Sequence, residues 1–441
     1  MSKTFFVSCA VTATLFVTAC SLSWAADPLT LIEAQRLAVS QSGQLAAQDA
    51  LGAAAREQAL AAGQLPDPTL KFGIDNLPIN GSDRFSLTRD FMTQRRIGVM
   101  QEVPRTAKRL LKAERVDREA QRVQAQRQLA LATVQRDTAL AWLERHYTQA
   151  MRALMAQQLV ETQLQVQAAD TSFRTGKGSQ ADVFAARAAV IGFEDRLSQI
   201  EQQSRKAGLM LARWVGASAA KRPTSGSPPW QSTSMQYEVS TGQLRQHPDL
   251  QVISAEIDAA ETEVRLAQAN QQADWSVEAS YAQRGSGFSN MLSIGASIPL
   301  QWDQKNRQNR ELAAKLAMVD EAKARFEDKL RNYEAQVQGW LSDWQTGKQR
   351  LARWRDEFIP VASQRTEATL TAYRTGKGDL AGTLLARRDE IDARIQALNL
   401  EMETARAWAQ LNYLIPDHSI NSPNRLNNNI SNTQSNSSEK P

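Results

Sequence analysis

Four short stretches of the chain alternate between apolar and polar residues, which is the pattern of a β-strand with one apolar face. Two of the stretches lie in the first half of the chain and two in the second. Their apolar positions are Leu70, Phe72 and Ile74, then Ile97, Val99 and Val103, then Trp275, Val277, Ala279 and Tyr281, and finally Leu292, Ile294, Ala296 and Ile298. The pattern predicts two hairpins, at about 68–103 and 274–298, and Gln101 interrupts it once.

The alternation by itself favours half-buried hairpins of a soluble domain over strands that turn one face to lipid. About eight strands are the minimum for a closed barrel, so a membrane location would require several chains to share one barrel. Beyond the first 25 residues, no stretch offers the roughly 20 consecutive apolar residues of a membrane-spanning helix. We therefore expect any membrane insertion to use the strands.

Long stretches without Gly or Pro predict long helices. The first, at about 105–173, would form a rod of about 100 Å at 1.5 Å per residue. The second runs from Pro299 to Gly376, and we expect it to bend or break at Gly339, Gly347 or Pro360. Shorter helices follow at about 179–215 and 379–413. Their apolar positions are sparse and rich in alanine, which suits helices that pack side by side. The alternative interpretation of these long helices is a coiled-coil scaffold.

The two halves of the chain share a sequence of landmarks. Ser172-Phe173-Arg174-Thr175-Gly176-Lys177-Gly178 returns as Ala372-Tyr373-Arg374-Thr375-Gly376-Lys377-Gly378. Val103-Pro104 corresponds to Ile298-Pro299, and Asp67 corresponds to Asp274, each at the border of a strand. Three landmarks in the same order predict an internal duplication, with repeats at 26–220 and 241–416 and a linker at 221–240.

The two ends of the chain differ from the rest. Residues 1–25 have the short positive start and apolar run of a secretory signal peptide, cleaved after Ala25. Val17-Thr18-Ala19-Cys20 also resembles a bacterial lipobox, which makes Cys20 a candidate for lipidation and the chain a candidate lipoprotein. Cys9 and Cys20 are the only cysteines, so the processed chain has no disulfide. The polar stretch 417–441 is expected to be a disordered tail.

Composition excludes two classes of protein. Charged residues make up 22% of the chain and the formal net charge is +5, which is too mild a surplus for a nucleic-acid binder. Apolar residues recur at helical spacing, so the chain is not intrinsically disordered. The mean hydropathy of -0.46 is low for a chain of 441 residues, which agrees with elongated helices around a thin core.

Signal peptide, strand hairpins, long helices and the doubled turn together resemble the TolC family of outer-membrane efflux proteins, from about Leu29 to Pro416. A further set of residues is similar to the heavy-metal branch of that family, which serves cobalt-zinc-cadmium or copper-silver exporters. That set comprises Leu65-Pro66-Asp67-Pro68, Asp75-Asn76-Leu77-Pro78, Arg89-Asp90-Phe91-Met92-Thr93, Gly98 and Gln101-Glu102-Val103-Pro104.

The resemblance implies a mainly α-helical fold with a membrane β-barrel portion. Three copies would form a homotrimer, each giving four strands to a 12-stranded barrel in outer-membrane lipid and its helices to a periplasmic α-helical tunnel. The implied function is a passive exit duct, which in this branch carries heavy-metal ions. The implied partners are a periplasmic adaptor (a membrane fusion protein) and an inner-membrane resistance-nodulation-division pump. A periplasmic adaptor or coiled-coil scaffold is the alternative function.

The doubled turn supplies the candidate site. A tight connection between antiparallel helices needs a residue with positive φ. The glycines are therefore explained by backbone conformation before any binding function is considered. The resemblance adds that the turns form the inner tip of the tunnel, where the adaptor docks, and that Asp182 lies near the tunnel mouth, with Gly382 at its counterpart. Asp182 also fits an ordinary acid at a helix start. The candidate residues are Arg174, Thr175, Gly176, Lys177, Gly178, Asp182, Arg374, Thr375, Gly376, Lys377 and Gly378.

No other chemistry stands out in the sequence. The three histidines, His146, His247 and His418, lie far apart, and no His, Cys or carboxylate group has the spacing of a metal site. The turn lacks the G-x-x-x-x-G-K-[ST] spacing of a phosphate loop. We therefore predict no cofactor, no bound metal, no nucleic acid and no enzyme activity.

Overall fold

The computed structural model describes residues 27–232 and 241–416. The predicted signal peptide, Cys20, part of the predicted linker and the polar tail after 416 lie outside the described residues. The elements in chain order are α1 (Leu31–Ser40), α2 (Gly43–Ala62), β1 (Thr69–Asp75), β2 (Gln94–Val103), α3 (Thr106–Arg174), α4 (Gln180–Val215), α5 (Ala217–Ala220), α6 (Thr241–Leu244), α7 (Pro248–Ala269), β3 (Trp275–Gln283), β4 (Met291–Ser297), α8 (Gln308–Arg353), a π-helical turn (Trp354–Phe358), α9 (Ile359–Arg374) and α10 (Leu380–Asn412).

The four strands form one antiparallel sheet in the order β1-β2-β3-β4. Local alternation predicts each hairpin, and the pairing of β2 with β3 joins the two hairpins across a long stretch of chain. Phe72 lies opposite Ile97, Ile97 opposite Tyr281, and Tyr281 opposite Leu292, so the apolar positions of all four strands share one face. That face is exposed: Phe72 retains 83% and Ile294 81% of its accessible surface.

The opposite face of the sheet is polar. Lys71 pairs with Glu278 across the sheet at 2.7 Å, and Arg96 pairs with Asp75 at 3.1 Å. Gly98 lies where this face is crowded, because a Cβ there would stand 2.7 Å from the Cβ of Ser280. The sheet therefore has one apolar surface and one surface of small and charged residues.

Helix α3 is a single rod of 69 residues, which matches the long helix expected for this stretch. Its counterpart is divided into α8, the π-helical turn and α9. Gly339 and Gly347 lie inside α8 without interrupting it, so only the expectation about Pro360 is met. Pro360 has no N–H and its ring crowds the carbonyl four residues earlier, which explains the widened turn just before it.

The largest core lies where the middle of α3 meets α4, α8 and α10. Trp142, Leu143, Met155, Ile391 and Trp408 are among its most buried members. None of the helices within the described ranges combines the length and hydropathy of a membrane-spanning helix.

Part of the predicted linker is packed against this core. Leu29 bridges to Thr224 as a short parallel pair, and Trp230 is buried. The indole of Trp344 donates to the carbonyl of Trp230 at 2.7 Å, and the indole of Trp408 donates to the carbonyl of Ser232 at 2.9 Å. Residues 221–232 thus cross the helices as a strap fixed by tryptophan side chains.

Candidate functional site

The first candidate turn closes the hairpin between α3 and α4. Gly176 has a φ of +72°, the left-handed conformation that glycine adopts without strain. Its N–H donates to the carbonyl of Phe173 at 3.0 Å, and the N–H of Lys177 donates to the carbonyl of Ser172 at 2.9 Å. These two bonds are the Schellman pattern that satisfies the last carbonyls of a helix.

The second candidate turn, between α9 and α10, has the same geometry. Gly376 also has a φ of +72°. Its N–H donates to the carbonyl of Tyr373 at 3.0 Å, and the N–H of Lys377 donates to the carbonyl of Ala372 at 2.9 Å. The repeated sequence therefore encodes the same helix-ending device twice.

The following glycine in each turn lies at a close contact with the end of the first helix. A Cβ on Gly178 would stand 3.1 Å from the Cβ of Ser172, and a Cβ on Gly378 would stand 3.1 Å from the Cβ of Ala372. A side chain at either position fits only if the neighbouring groups move by a few tenths of an ångström. The two glycines of each turn thus have different reasons to be glycine.

The returning helices both begin with a side-chain cap, but the capping residues differ. Ser179 caps α4, and Asp182 completes a reciprocal capping box by accepting from the N–H of Ser179 at 2.9 Å. In the second copy Asp379 is the cap and accepts from the N–H of Gly382 at 3.1 Å. The carboxylate missing at Gly382 is therefore present three residues earlier, and each turn keeps one acidic group at a helix start, where the dipole favours it.

The structure brings the two turns together at one end of the helical bundle. Ala169 and Val183, from the first hairpin, share a small buried cluster with Leu380 and Leu384 from the second. Because Val183 and Leu380 lie within a turn of the helix starts, both turns lie beside this cluster. All eleven candidate residues are consequently gathered at the same tip.

Polar side chains at the tip differ in what they contact. The Thr175 hydroxyl donates to the carbonyl of Thr171 at 3.0 Å, and Thr375 makes the same bond to Thr371, so both hydroxyls donate their proton to the helix. Arg174 pairs with Asp170 at 2.8 Å, whereas the position four residues before Arg374 is Leu370. Lys177, Arg374 and Lys377 are exposed, which makes the tip basic.

Ion pairs behind the tip connect the two hairpins. Arg387 on α10 reaches Glu161 on α3 at 3.5 Å, and Arg196 on α4 pairs with Asp392 on α10. Burial raises the pKa of the Glu390 carboxyl, but its hydrogen bond from Arg394 and other polar contacts outweigh burial and bring the pKa below its ordinary value. Glu390 is therefore charged at neutral pH although its side chain is nearly buried.

Sequence reasoning found the turns and missed these supporting residues. Asp379 could have been found by its position, since it follows the repeated glycine as Ser179 does. The pairing of Glu161 with Arg387 could not be found in the sequence, because the two residues are far apart in the chain. The function of the eleven turn residues in docking stays a prediction.

The two histidines within the described ranges have structural contacts. His146 stacks on Trp142 with ring centroids 4.8 Å apart, and burial lowers its pKa. His247 accepts from the N–H of Asp249 at 3.2 Å at the start of α7, and burial lowers its pKa to about 4. Across residues 27–232 and 241–416, no three His, Asp or Glu side chains are grouped as a metal site.

Comparison with known proteins agrees with this geometry. Residues 242–415 match the family described as "Outer membrane efflux protein". No curated protein matches the sequence as a relative. Among solved structures, CusC, described in connection with transmembrane channel formation, superposes with a TM-score of 0.76 at 14% identity, covering 88% of this chain and 92% of CusC.

Two further channels have the same fold. The Campylobacter jejuni CmeC outer membrane channel has a TM-score of 0.71 at 12% identity, covering 87% of this chain and 85% of CmeC. The open state of the Neisseria gonorrhoeae MtrE outer membrane channel has a TM-score of 0.68 at 15% identity, covering 87% of this chain and 88% of MtrE.

The chain therefore has the fold of outer-membrane efflux channels. The family match is limited to residues 242–415, whereas the shared fold extends over 88% of the chain. The matched family and the similar structures are channel proteins and not enzymes, which agrees with the predicted lack of enzyme activity.

Proposed function

We propose that three copies of this chain form a passive exit duct across the outer membrane, with the helices extending into the periplasm as a tunnel. One observation carries the proposal: the four-stranded sheet exposes an apolar face, and the outer edges of β1 and β4 have no strand partner within the described residues. A backbone edge cannot lie in lipid without a hydrogen-bonding partner. Three such sheets joined edge to edge make a 12-stranded barrel, which removes every free edge.

The residues on the two faces of the sheet also support a barrel in the membrane. Apolar residues on the outward face suit lipid, and the ion pairs of Lys71 with Glu278 and of Arg96 with Asp75 suit a water-filled interior. A periplasmic adaptor or coiled-coil scaffold, the alternative function, would have no use for an exposed apolar sheet face. We therefore favour the channel.

The partners we propose are a periplasmic adaptor and an inner-membrane resistance-nodulation-division pump. The adaptor would contact the tip, where Lys177, Arg374 and Lys377 are exposed. Thr175 and Thr375 would contribute mainly as acceptors, since their hydroxyl protons are already donated to the helix. In this proposal, Asp182 and Asp379 cap the first turns of α4 and α10 and do not contact the adaptor.

Charge-reversal variants test whether the adaptor docks at the tip. In a deletion strain, the double variant Lys177→Glu with Lys377→Glu should fail to restore efflux-dependent resistance, while the protein still reaches the outer membrane. Lys221→Glu, at an exposed position far along the chain from both turns, is the matched control and should restore resistance fully. Full resistance in the double variant would contradict docking at the tip.

We propose heavy-metal ions as the exported substrate. The support is the set of residues that resembles the heavy-metal branch, from Leu65 to Pro104. In the structure, Thr93 of this set is buried and its hydroxyl donates to the carbonyl of Asn76 at 3.0 Å, so part of the resemblance reflects the packing of the loop before β2. A deletion strain should become sensitive to copper, silver, zinc, cobalt or cadmium, and sensitivity to drugs and detergents alone would contradict a metal substrate.

The test of the duct itself is membrane fractionation. We expect the protein in the outer-membrane fraction, as a band of trimer size on a gel without heating that collapses to the monomer on heating. A soluble periplasmic monomer would contradict the proposal. Mass spectrometry of the mature N-terminus in the same sample decides between cleavage after Ala25 and lipidation at Cys20.

A further inference from the structure

The chain crosses from a strand into a long helix twice, and the two crossings differ. Helix α3 begins at Thr106, two residues after Pro104, whereas α8 begins at Gln308, nine residues after Pro299. The second crossing therefore contains a turn that the first crossing lacks. Residues 298–310, which include this turn and the first residues of α8, are named the Trp302 turn below.

The Trp302 turn exposes a series of apolar side chains. Trp302 retains 87% of its accessible surface, the largest fraction among the large apolar residues of the described ranges. Ile298 and Leu300 are also exposed, and with Trp302 they keep the two-residue spacing of Leu292 and Ile294 on β4. The apolar series of the exposed sheet face thus continues beyond the end of the strand. An exposed apolar surface of this extent indicates contact with another molecule or a membrane.

Hydrogen bonds fasten the turn to the end of α7. The side-chain amide of Gln301 donates to the carbonyl of Asn270 at 2.9 Å, and that of Gln304 donates to the carbonyl of Gln271 at 3.2 Å. The amide of Gln271 donates in return to the side chain of Asn309 at 3.1 Å. The turn is therefore held in place before any partner binds, so less conformational entropy is lost on binding.

Three exposed basic residues, Lys305, Arg307 and Arg310, lie in the same turn. None of the three forms an ion pair within residues 27–232 and 241–416. Four bases farther along α8 do pair with carboxylates of α7: Lys315 with Glu263, Lys323 with Glu261, Arg325 with Glu256 and Lys329 with Asp249. The bases without a carboxylate are thus the ones nearest to the sheet.

The acidic residues explain this difference. After Glu263 the chain has no acid until Asp274, and Asp274 is paired with Lys108 at 2.9 Å. Asp303 accepts hydrogen bonds within the turn itself. Glu311 lies in the first turn of α8, where the helix dipole favours an acid. The three bases of the Trp302 turn are therefore left without a counter-ion from the protein.

Strand geometry places the turn at the border of the membrane, an inference that rests on the proposed duct. From Leu292 to Leu300 the chain advances eight residues, which is about 26 Å at about 3.3 Å per residue. A tilt of about 35–45° reduces this length to about 20 Å of membrane depth. The apolar band of a membrane barrel is about 25 Å tall and is bordered by aromatic residues. Trp302 therefore falls at the border of the band on the side of the helices.

We propose that the Trp302 turn anchors the protein to the periplasmic leaflet of the outer membrane by binding anionic phospholipid headgroups. Trp302 lies in the interfacial layer, where its ring contacts acyl chains and its indole N–H stays near water. Lys305, Arg307 and Arg310 pair with lipid phosphates, which supply the counter-ions that α7 does not. The occupant is a lipid surface because the apolar series is continuous with the sheet face that the proposed duct turns to lipid.

Lipid titration of the full-chain trimer tests the anchor. The purified trimer in detergent is titrated with phosphatidylglycerol, which is anionic, or with phosphatidylcholine, which has no net charge, and bound lipid is counted by native mass spectrometry. The test variant carries Lys305→Gln, Arg307→Gln and Arg310→Gln. The control variant removes the same charges from exposed positions farther along α8, by Lys323→Gln, Arg331→Gln and Arg350→Gln.

We expect the native trimer to bind phosphatidylglycerol more tightly than phosphatidylcholine. A basic residue beside an anionic surface contributes roughly fivefold in affinity, so the test variant should lose about 10- to 100-fold for phosphatidylglycerol. The control variant should stay within about twofold of the native trimer, and added salt should weaken native binding. Trp302→Ala keeps the charges and should weaken the binding of both lipids.

The outcomes separate the anchor from the proposed function. Unchanged affinity in the test variant, an equal loss in the control variant, or equal native affinity for the two lipids overturns the anchor and leaves the trimeric duct standing. A trimer that dissociates on Trp302→Ala indicates a contact between copies and also overturns the lipid anchor.

The single variants keep the test decisive if the triple test variant forms no trimer. Each of Lys305→Gln, Arg307→Gln and Arg310→Gln should then lose roughly fivefold in affinity for phosphatidylglycerol, and three unchanged affinities overturn the anchor. A native protein that forms no trimer overturns the proposed function and the anchor with it.

Discussion

Single residues determine where the long helices turn back. Gly176 and Gly376 occupy left-handed conformations with open space around the Cα, so the constraint on them is backbone conformation and not crowding. A side chain in this conformation costs roughly 1–2 kcal/mol. The sequence revealed these positions because each glycine ends a long stretch that is otherwise rich in good helix formers, and because the same turn sequence occurs twice.

Alanine at Gly176 should therefore destabilise the protein by about 1 kcal/mol. The matched control is Gly192→Ala inside α4, which also has open space but an ordinary helical conformation, and which should be neutral or stabilising by up to about 1 kcal/mol. Thermal unfolding followed by circular dichroism compares the two variants. Equal melting temperatures would show that the left-handed turn is not required.

His247 should make stability depend on pH. Its neighbours are the carboxylate of Asp249 on its own helix, Arg136 on α3, and Lys329 and Tyr333 on α8. Burial lowers its pKa from 6.5 to about 4, so the unfolded chain binds a proton more readily than the folded chain between these values. The contribution of His247 to the free energy of unfolding is complete above about pH 6.5 and is lost as the pH falls towards 4. At about 1.4 kcal/mol per pKa unit, the loss is about 3 kcal/mol.

The measurement is the drop in melting temperature between pH 7.5 and pH 4.5 for the native protein and for His247→Asn. Asparagine keeps a side-chain acceptor at the start of α7 and removes the titration. We expect a smaller drop in the variant, and an equal drop would contradict a neutral buried His247.

Helices were the elements that the sequence predicted best. The bounds of α3, α4 and α10 fall within a residue or two of the predicted ones, because Gly, Pro and capping residues mark helix ends locally. The interruption of the second long helix was predicted less well. Glycine inside α8 is tolerated, and only Pro360 changes the helical geometry, since it removes a backbone donor.

Gly347 has a packing function that local sequence could not reveal. A Cβ there would stand 2.3 Å from the Thr404 hydroxyl, where α8 crosses α10, whereas a Cβ on Gly339 in the same helix meets no atom within 4 Å. Gly347→Ala should cost about 1–3 kcal/mol through overpacking, and Gly339→Ala should gain up to about 1 kcal/mol. Chemical denaturation of the two variants is the test, and a stable Gly347→Ala protein would contradict the close approach of α8 and α10.

At the scale of the whole molecule, the alternation of residues predicted the two hairpins, and only the family resemblance implied that the four strands join. The alternation of β2 and β3 is local, whereas their pairing joins residues such as Ile97 and Tyr281 that are distant in the chain. The same holds for the residues behind the tip, where Glu161 meets Arg387 through the packing of two hairpins. Contacts of this kind depend on the assembled fold, and a single sequence carries no periodic signal for them.

The strap at 221–232 is another long-range contact that the sequence did not predict. The two predicted repeats left this segment as part of a linker, yet Trp230 is buried and the indole bonds from Trp344 and Trp408 fix the segment across the core. Tryptophans on distant helices have no sequence relation to the segment they hold. Only the three-dimensional arrangement assigns them to it.

The central claim is that one copy is a third of a channel wall. The most direct measurement is the ionic conductance of the purified mature protein in a planar lipid bilayer, with the oligomeric mass determined in the same detergent. We expect a trimer that inserts and gives discrete steps of conductance. A water-soluble monomer that leaves the bilayer non-conducting would contradict it.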